Sequence, residues 1–354
     1  QRGRSVSVTG GNKGTNDVQG RVGARSEKFD YRMTLGYAAD NGYDERTATH
    51  LPSVIPVNLS NSNDSNQARL VNYRATYFLN SRDNFDMQFG ANRDIQGAGF
   101  NPAFEPANPN HDVIINNSFQ MLTWLHQTEE RGELSTRISH TRNSTRENFT
   151  ILNPAIPITQ ALAAERTLFA VQHNLPLATH NRLVYGAEIS QEYAAGFSSV
   201  PLNNPIALSN QIKFQTKRFF AHDEQRITDQ LLSNLGGMWE NDGQGSTKFS
   251  PRGSLNYHVT PDHTVRIGGS IAYRTPSLTE NYNSLVSPYQ VGQRFVIANP
   301  TSLRLVSEKI ISRELGYLGQ FNDHASSLDV RIFNDQFGEG IYFNPAIMAF
   351  ANGA

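Results

Sequence analysis

The sequence predicts an all-β chain: the wall of a transmembrane, antiparallel, up-and-down β-barrel, present as about 15 strands. Three observations predict it. Period-2 alternation of apolar and polar residues recurs along all 354 residues. The alternating segments run to about 10–14 residues, whereas strands of soluble proteins average about 5–6. The connections switch between tight turns and long polar loops, which is the asymmetry of outer-membrane barrels.

The alternation can be followed segment by segment. Phe29, Tyr31, Met33, Leu35 and Tyr37 share one face of a strand, against Asp30, Arg32, Thr34 and Gly36 on the other. Val71, Tyr73, Ala75, Tyr77 and Leu79 oppose Asn72, Arg74 and Thr76. Phe85, Met87, Phe89 and Ala91 oppose Asp86, Gln88 and Asn92. Leu183, Tyr185, Ala187 and Ile189 oppose Arg182, Glu188 and Ser190. Val265, Ile267, Ile271 and Tyr273 oppose Arg266, Ser270 and Arg274, and Leu328, Val330 and Ile332 oppose Asp329 and Arg331. Successive side chains of a strand point to opposite faces of its sheet, so each segment has one wet and one dry side. Tyr and Phe gather near strand ends, as in the aromatic girdles that flank an apolar band.

Tight turns are predicted at Ser26–Glu27, Asn80–Asp83, Thr128–Gly132, Ala178–Asn181, Thr260–His263 and Asn322–Ala325. Long loops are predicted at about 41–67, 94–113, 147–164, 195–212 and 276–310, and the last strand ends near Phe337.

Composition excludes other classes. Hydrophobic residues make up 38% of the chain, yet Phe (20), Tyr (13) and Gly (27) are plentiful; mean hydropathy is −0.50. Cysteine is absent, which removes disulfides, zinc–thiolate sites and thiol nucleophiles. A net charge of −1 gives no nucleic-acid footprint. No apolar run approaches the roughly 20 residues of a membrane-spanning helix, but barrel strands cross with about 9–11. The chain shows no G-x-S-x-G elbow, H-E-x-x-H or Walker loop. His222-Asp223-Glu224 is half of a deaminase signature whose cysteines are missing. No enzymatic activity is expected. A barrel closes on itself, because an open edge in lipid leaves backbone groups unpaired at several kcal/mol each. A chain that begins at Gln1 with no signal peptide, and that has no closing strand ending in an aromatic residue, is expected to be part of a larger barrel.

Four stretches carry a family resemblance. FSPRGSLNYHVTPDHTVRIGGSIAYRTPSLTENY, Phe249 to Tyr282, resembles the late-barrel segment of TonB-dependent receptors, with Arg274, Pro276, Ser277 and Glu280 on the R-x-P-S-x-x-E pattern. Asn299, Pro300, Leu303, Glu308, Glu314, Leu315 and Gly316 resemble the family's following Asn-Pro-x-Leu…Glu…Glu-Leu-Gly element, with a small insertion before Glu308. FFAHDEQRITDQLLSNLGGMWEN, from Phe219, is similar to the strand–turn–strand before that block, and NDVQGRVGARSEKFDYRMTLGYAADNGYDER to the start of the barrel. The resemblance implies a 22-stranded barrel enclosing an N-terminal plug, with a short box before the plug that meets a periplasmic energiser. On that reading residues 1–354 are one partial barrel domain, lacking the plug and about six final strands. The implied partners are outer-membrane lipid and lipopolysaccharide, the TonB energy-transducing complex through the plug region, and a small ligand such as a metal chelate. A monomer without cofactor in the outer membrane is expected.

Candidate site residues follow from parity and loop position. Asp40, Glu192 and Arg274 face inward at the loop-side ends of their strands. Tyr282, Tyr289, Gln290 and Arg294 lie in the long loop after Thr275, where aromatics and arginine can grip a chelate or anion by stacking and charge. Pro276, Glu280, Glu308 and Glu314 are assigned to loop geometry. His258 and His263 flank a turn, as a metal pair or as solvated turn residues; lacking a third ligand, they are not assigned a metal. No His lies between Pro276 and Pro300, where haem receptors of the family carry one, which argues against haem. Three functions remain open: a TonB-dependent importer of an iron-siderophore or similar scarce nutrient, a passive porin-like barrel, and a surface barrel whose loops bind partners or phage.

Overall fold

The computed structural model describes residues 3–42, 45–47, 58–60, 63–99, 109–129, 132–152, 155–199, 212–276 and 305–341. Within them every regular element is a strand. The first are β1 (Gly3–Gly10), β2 (Asn16–Arg25), β3 (Phe29–Asp40), β4 (Glu45–Thr47), β5 (Asn58–Ser60), β6 (Asn66–Phe78), β7 (Asp83–Ala98) and β8 (His111–Gln127). There follow β9 (Glu133–Ile151), β10 (Ile156–Ala178), β11 (Asn181–Ser199), β12 (Ile212–Arg226) and β13 (Leu231–Asn241). The last are β14 (Thr247–Thr260), β15 (His263–Arg274), β16 (Glu308–Phe321) and β17 (Ser326–Gly338).

Apart from the small β4–β5 hairpin, the strands form one 15-stranded sheet in chain order, each antiparallel to the next. This is the expected up-and-down meander. Among the described residues β1 pairs only with β2, and β17 only with β16, so the sheet is not closed.

One rim carries only tight connections. Turn bonds close them: Ser26 N donates to Phe29 O at 2.7 Å, Thr128 N to Gly132 O at 2.9 Å, and Ile227 N to Leu231 O at 2.8 Å. The turn at 227–230 is the one implied by the strand–turn–strand resemblance from Phe219, which left its position open. At the β16–β17 turn Asn322, Asp323 and His324 all take positive φ (53°, 52° and 70°), the left-handed region that Asn, Asp and His tolerate best.

The opposite rim departs from expectation most at one hairpin. The predicted loop 147–164 is almost entirely strand: β9 runs to Ile151, β10 starts at Ile156, and the two pair without interruption down to Glu133↔Asn174. The physical reason is visible at the tip. Ile151 and Ile158 are buried at 4% and 2% exposure with Phe149 against them, and His111 stacks on Phe149 at 4.5 Å. This apolar knot makes pairing favourable where the Asn153-Pro154 and Pro157 punctuation suggested loop. Pro157 is accommodated because β10 pairs with β9 alone before Thr159, leaving that edge free of the ladder bond a proline cannot donate. Predicted loop 94–113 likewise shortens, since β7 continues to Ala98 and β8 starts at His111.

The two faces of the sheet have opposite chemistry. Leu35, Phe89, Leu122, Ile138, Phe169, Phe219, Leu235, Phe249 and Ile267 are all exposed. The polar groups Thr34, Asp86, Ser190, Thr216 and Glu240 are buried. These five lie on the parity opposite to that apolar set. A protein folded in water shows the reverse distribution. An apolar surface on this scale is made to meet hydrocarbon. A cavity of about 720 Å³ is bounded mainly by residues of the polar face, from β6 round to β11.

Candidate functional site

The inner face is wired by ion pairs that climb towards the loop rim. Glu192 of β11 lies 3.6 Å from Arg166 of β10, directly opposite it in register. Arg166 also reaches Glu188 at 3.2 Å. Glu188 accepts from Arg218 of β12 at 2.6 Å, and Arg218 donates in turn to Glu240 of β13. Glu240 accepts from the Thr275 hydroxyl at 3.2 Å. The chain of contacts thus crosses the wall from β10 to the root of the β15–β16 connection. The two central carboxylates are the groups most withdrawn from water, and they hold the arginines around them. Glu188 and Glu240 side chains are only 18% and 12% exposed, and a carboxylate so placed needs a partner.

A second set of contacts fixes the same loop root. Gln244 Nε2 donates to Pro276 O at 3.2 Å. Arg274, the last residue of β15, pairs with Glu308, the first of β16, and the Ile341 amide donates to Glu308 Oε1 at 2.7 Å. Glu314 lies 3.7 Å from Arg266, lower on the same face. That pair borders a second inner cavity of about 440 Å³, lined by His222, Asn234, Arg252 and Asn256 as well.

Above the ion pairs a row of uncharged amides runs round the wall. Asn92, Asn117 and Asn143 are register partners on β7, β8 and β9, and Asn143 donates to Asn117. With Asn72, Phe119, Thr141, Arg166 and Glu192 they line the 720 Å³ cavity. Such a wall offers donors and acceptors to a hydrated or carbonyl-rich solute and little net charge.

The sequence-predicted residues are distributed round this face rather than gathered at one point. Asp40 ends β3 and accepts from the Gly42 amide at 2.9 Å. Glu192 is six sheet positions away from it by strand order, and Arg274 four further on. At about 4.8 Å per strand, none of the three reaches another directly. Glu192 and the neighbour of Arg274, Thr275, are joined through Arg166, Glu188, Arg218 and Glu240. Of those four only Glu188 figured in the sequence pattern. Pro276 is buried at the loop root. Glu280, Tyr282, Tyr289, Gln290 and Arg294 lie outside the described residues. His258 and His263 face opposite sides: His258 Nδ1 meets Thr264 Oγ1 at 2.9 Å, and His263 Nδ1 meets the Tyr317 hydroxyl at 2.8 Å. They do not form a pair. Among the described residues no three His, Asp or Glu side chains are grouped to hold a metal ion.

Comparison with known proteins follows this geometry. A family model described as TonB dependent receptor-like, beta-barrel, matches residues 6–352. No curated protein matches the sequence. Among solved structures, the siderophore receptor PirA from Acinetobacter baumannii superposes with a TM-score of 0.69 at 12% identity, over 94% of this chain and 52% of that one. The ferripyoverdine receptor of the outer membrane of Pseudomonas aeruginosa, bound to ferripyoverdine, gives 0.67 at 12% identity, over 98% and 51%. The ferric-catecholate import receptor Fiu from E. coli K12 gives 0.67 at 11% identity, over 95% and 58%. The chain therefore spans little more than half the length of these receptors, and at such identities the likeness is one of fold.

Proposed function

The chain belongs to the TonB-dependent receptor-like β-barrel family, and on that premise we propose that it forms the wall of an outer-membrane receptor that imports an iron-siderophore chelate or a similar scarce nutrient. One observation carries the reading. The ion-pair chain ties the roots of the loop rim to the inner wall. A passive pore has no need to couple its loops to its lumen in this way, whereas a receptor that captures solute at its loops and releases it inward does. The solved receptors of similar fold are named for siderophores, which supports the ligand class. In the whole protein, energy would come from the TonB complex acting through a plug that occupies this polar face, and the outer membrane would contact the apolar exterior.

The test is growth. A strain deleted for this gene and for competing iron receptors is supplied with single iron sources: a catecholate, a hydroxamate, a mixed-ligand chelate and citrate. Re-expression of the receptor is expected to rescue growth on one class, and only in a strain with TonB. Rescue by none of them removes the iron reading. Rescue that persists without TonB favours passive diffusion.

A further inference from the structure

The outward face of β6–β9 carries a charge arrangement that the import reading does not use. Arg69 and Arg93 are direct register partners on adjacent strands, and both are exposed. Like charges set opposite one another in a sheet repel, so the pair persists only if something else recovers the cost. Two further arginines share the face. Arg142 lies on the next row down and Arg146 on the next row up, by their pairing with Ser118 and Ile114. Among the described residues, no carboxylate is within ion-pair distance of Arg69, Arg93 or Arg146. Arg142 alone has a partner, Glu165 at 3.4 Å. The one other carboxylate on this part of the face is Asp112, at the loop-side end of β8. Arg69, Arg93 and Arg142 line a depression of about 500 Å³ to which Asn116, Ser118 and Ser144 contribute polar groups, and Arg146 stands one row above it on the same face.

Height in the membrane identifies what fills it. The same face a few residues lower is apolar and exposed, with Phe89, Leu122, Ile138 and Phe169. Arg93 is four residues above Phe89 on β7, roughly 13 Å along the strand. That places the guanidinium groups at the polar edge of the hydrocarbon, where Arg on a barrel exterior is tolerated at little cost. The arginines lie towards the long-loop rim, which in these barrels is the cell-surface side. The lipid there is lipopolysaccharide, whose glucosamine headgroup carries phosphates. Guanidinium groups bind phosphate oxygens with paired, parallel hydrogen bonds, and the neighbouring amide and hydroxyls suit sugar oxygens.

We propose that Arg69, Arg93, Arg142 and Arg146 form a binding site for the headgroup phosphates of one lipopolysaccharide molecule. The site depends on the outer-membrane placement but not on which solute is imported, so it stands or falls separately from the uptake test.

The experiment uses the intact receptor, solubilised and re-embedded in nanodiscs. Binding is measured for rough-type lipopolysaccharide, for the same lipid stripped of phosphate, and for phosphatidylglycerol. The variant carries Arg69→Gln, Arg93→Gln and Arg146→Gln; a control carries Lys309→Gln and Arg313→Gln on the outward face of β16. Heat-shifted gel migration verifies folding of each. The wild type and the control are expected to bind the phosphorylated lipid at least about tenfold more tightly than the stripped one, and the triple variant to lose that preference. If the triple variant does not fold, Arg→Lys replacements at the same positions keep the charge, and the phosphorylated-versus-stripped comparison on the wild type still decides. Equal binding of stripped lipid, equal binding of phosphatidylglycerol, or an unchanged triple variant each overturns the proposal.

Discussion

Replacing Arg218 with methionine removes the middle link of the inner ion-pair chain and keeps most of the side-chain volume. Arg218 donates to Glu188 at 2.6 Å and also to Glu240, and its own side chain is only 28% exposed. Taking away one partner of a buried pair costs about 3–5 kcal/mol, chiefly because the abandoned charge stays buried. Here the cost is smaller. Glu188 keeps Arg166 at 3.2 Å, Glu240 keeps the Thr275 hydroxyl at 3.2 Å, and both retain some water. About 2 kcal/mol is a reasonable discount on that range. With a urea slope of about 3 kcal/mol per molar, the midpoint falls by roughly 0.7 M. The assay is urea titration of the intact receptor in lipid vesicles, followed by tryptophan fluorescence and gel migration. Adding Glu240→Gln to Arg218→Met removes one of the uncompensated charges and is expected to recover about half the loss, a non-additive result diagnostic of direct coupling. An unshifted midpoint for Arg218→Met, or a double variant weaker than the single by the full cost of Glu240→Gln, would refute the claim that these pairs hold the wall.

Three other outcomes follow from the same geometry. A methyl group added at Gly186 would sit 2.5 Å from the Val171 carbonyl, which is fixed backbone, whereas one added at Gly90 would sit 2.2 Å from the Phe119 ring, a side chain that borders open cavity and can swing aside. Gly186→Ala is therefore expected to cost about 1–3 kcal/mol and Gly90→Ala well under 1, by the same urea assay. The two tryptophans, Trp124 and Trp239, stand on the outward face, opposite Phe85 and Phe219 respectively. Bromine-labelled lipid is expected to quench both in single-tryptophan variants, while iodide in water quenches neither strongly; the reverse result would invert the assignment of faces. Thr275→Val removes the hydroxyl that Glu240 accepts and is expected to weaken solute binding by several-fold without moving the urea midpoint by more than about 0.3 M, a net hydrogen bond being worth about 1 kcal/mol.

The wall was legible in the sequence because lipid and lumen each impose a parity on every strand. Phe29 through Tyr37 could be assigned to a face with no knowledge of neighbours, and six of the tight turns were visible as polar breaks between alternating runs. The site was less legible because it depends on register. Arg218 and Glu240 are equidistant from the Ile227–Leu231 turn, so locating that turn would have paired them; Ile227 at its start hid it. Glu188 and Arg218 are related across the connection at 200–211, whose length says nothing about pairing. Arg69 and Arg93 lie at matching distances from the Leu79–Asp83 turn, one residue wider than the Asn80–Asp83 break visible in the sequence, and counting from the narrower break pairs Arg93 one position off. The paired strands at 147–164 were not legible for a different reason: Asn153, Pro154 and Pro157 are turn-type residues, and the Ile151–Ile158 cluster that favours the ladder exists only once the two strands have paired.

That hairpin has a consequence for how a cell carrying the receptor meets its surroundings. β10 is 23 residues long, and about 9–11 suffice to cross the hydrocarbon. Much of the remaining length continues as ladder above the membrane, some 25–30 Å high at the usual strand tilt. A mobile loop of that size would fold down under a predator's or antibody's probing and lose entropy when seized. A stiff parapet capped by Phe149, Ile151 and Ile158 gives no such protection. Among the described residues it holds the longest strand of the sheet, so a molecule approaching from the loop rim meets ordered backbone ladder there.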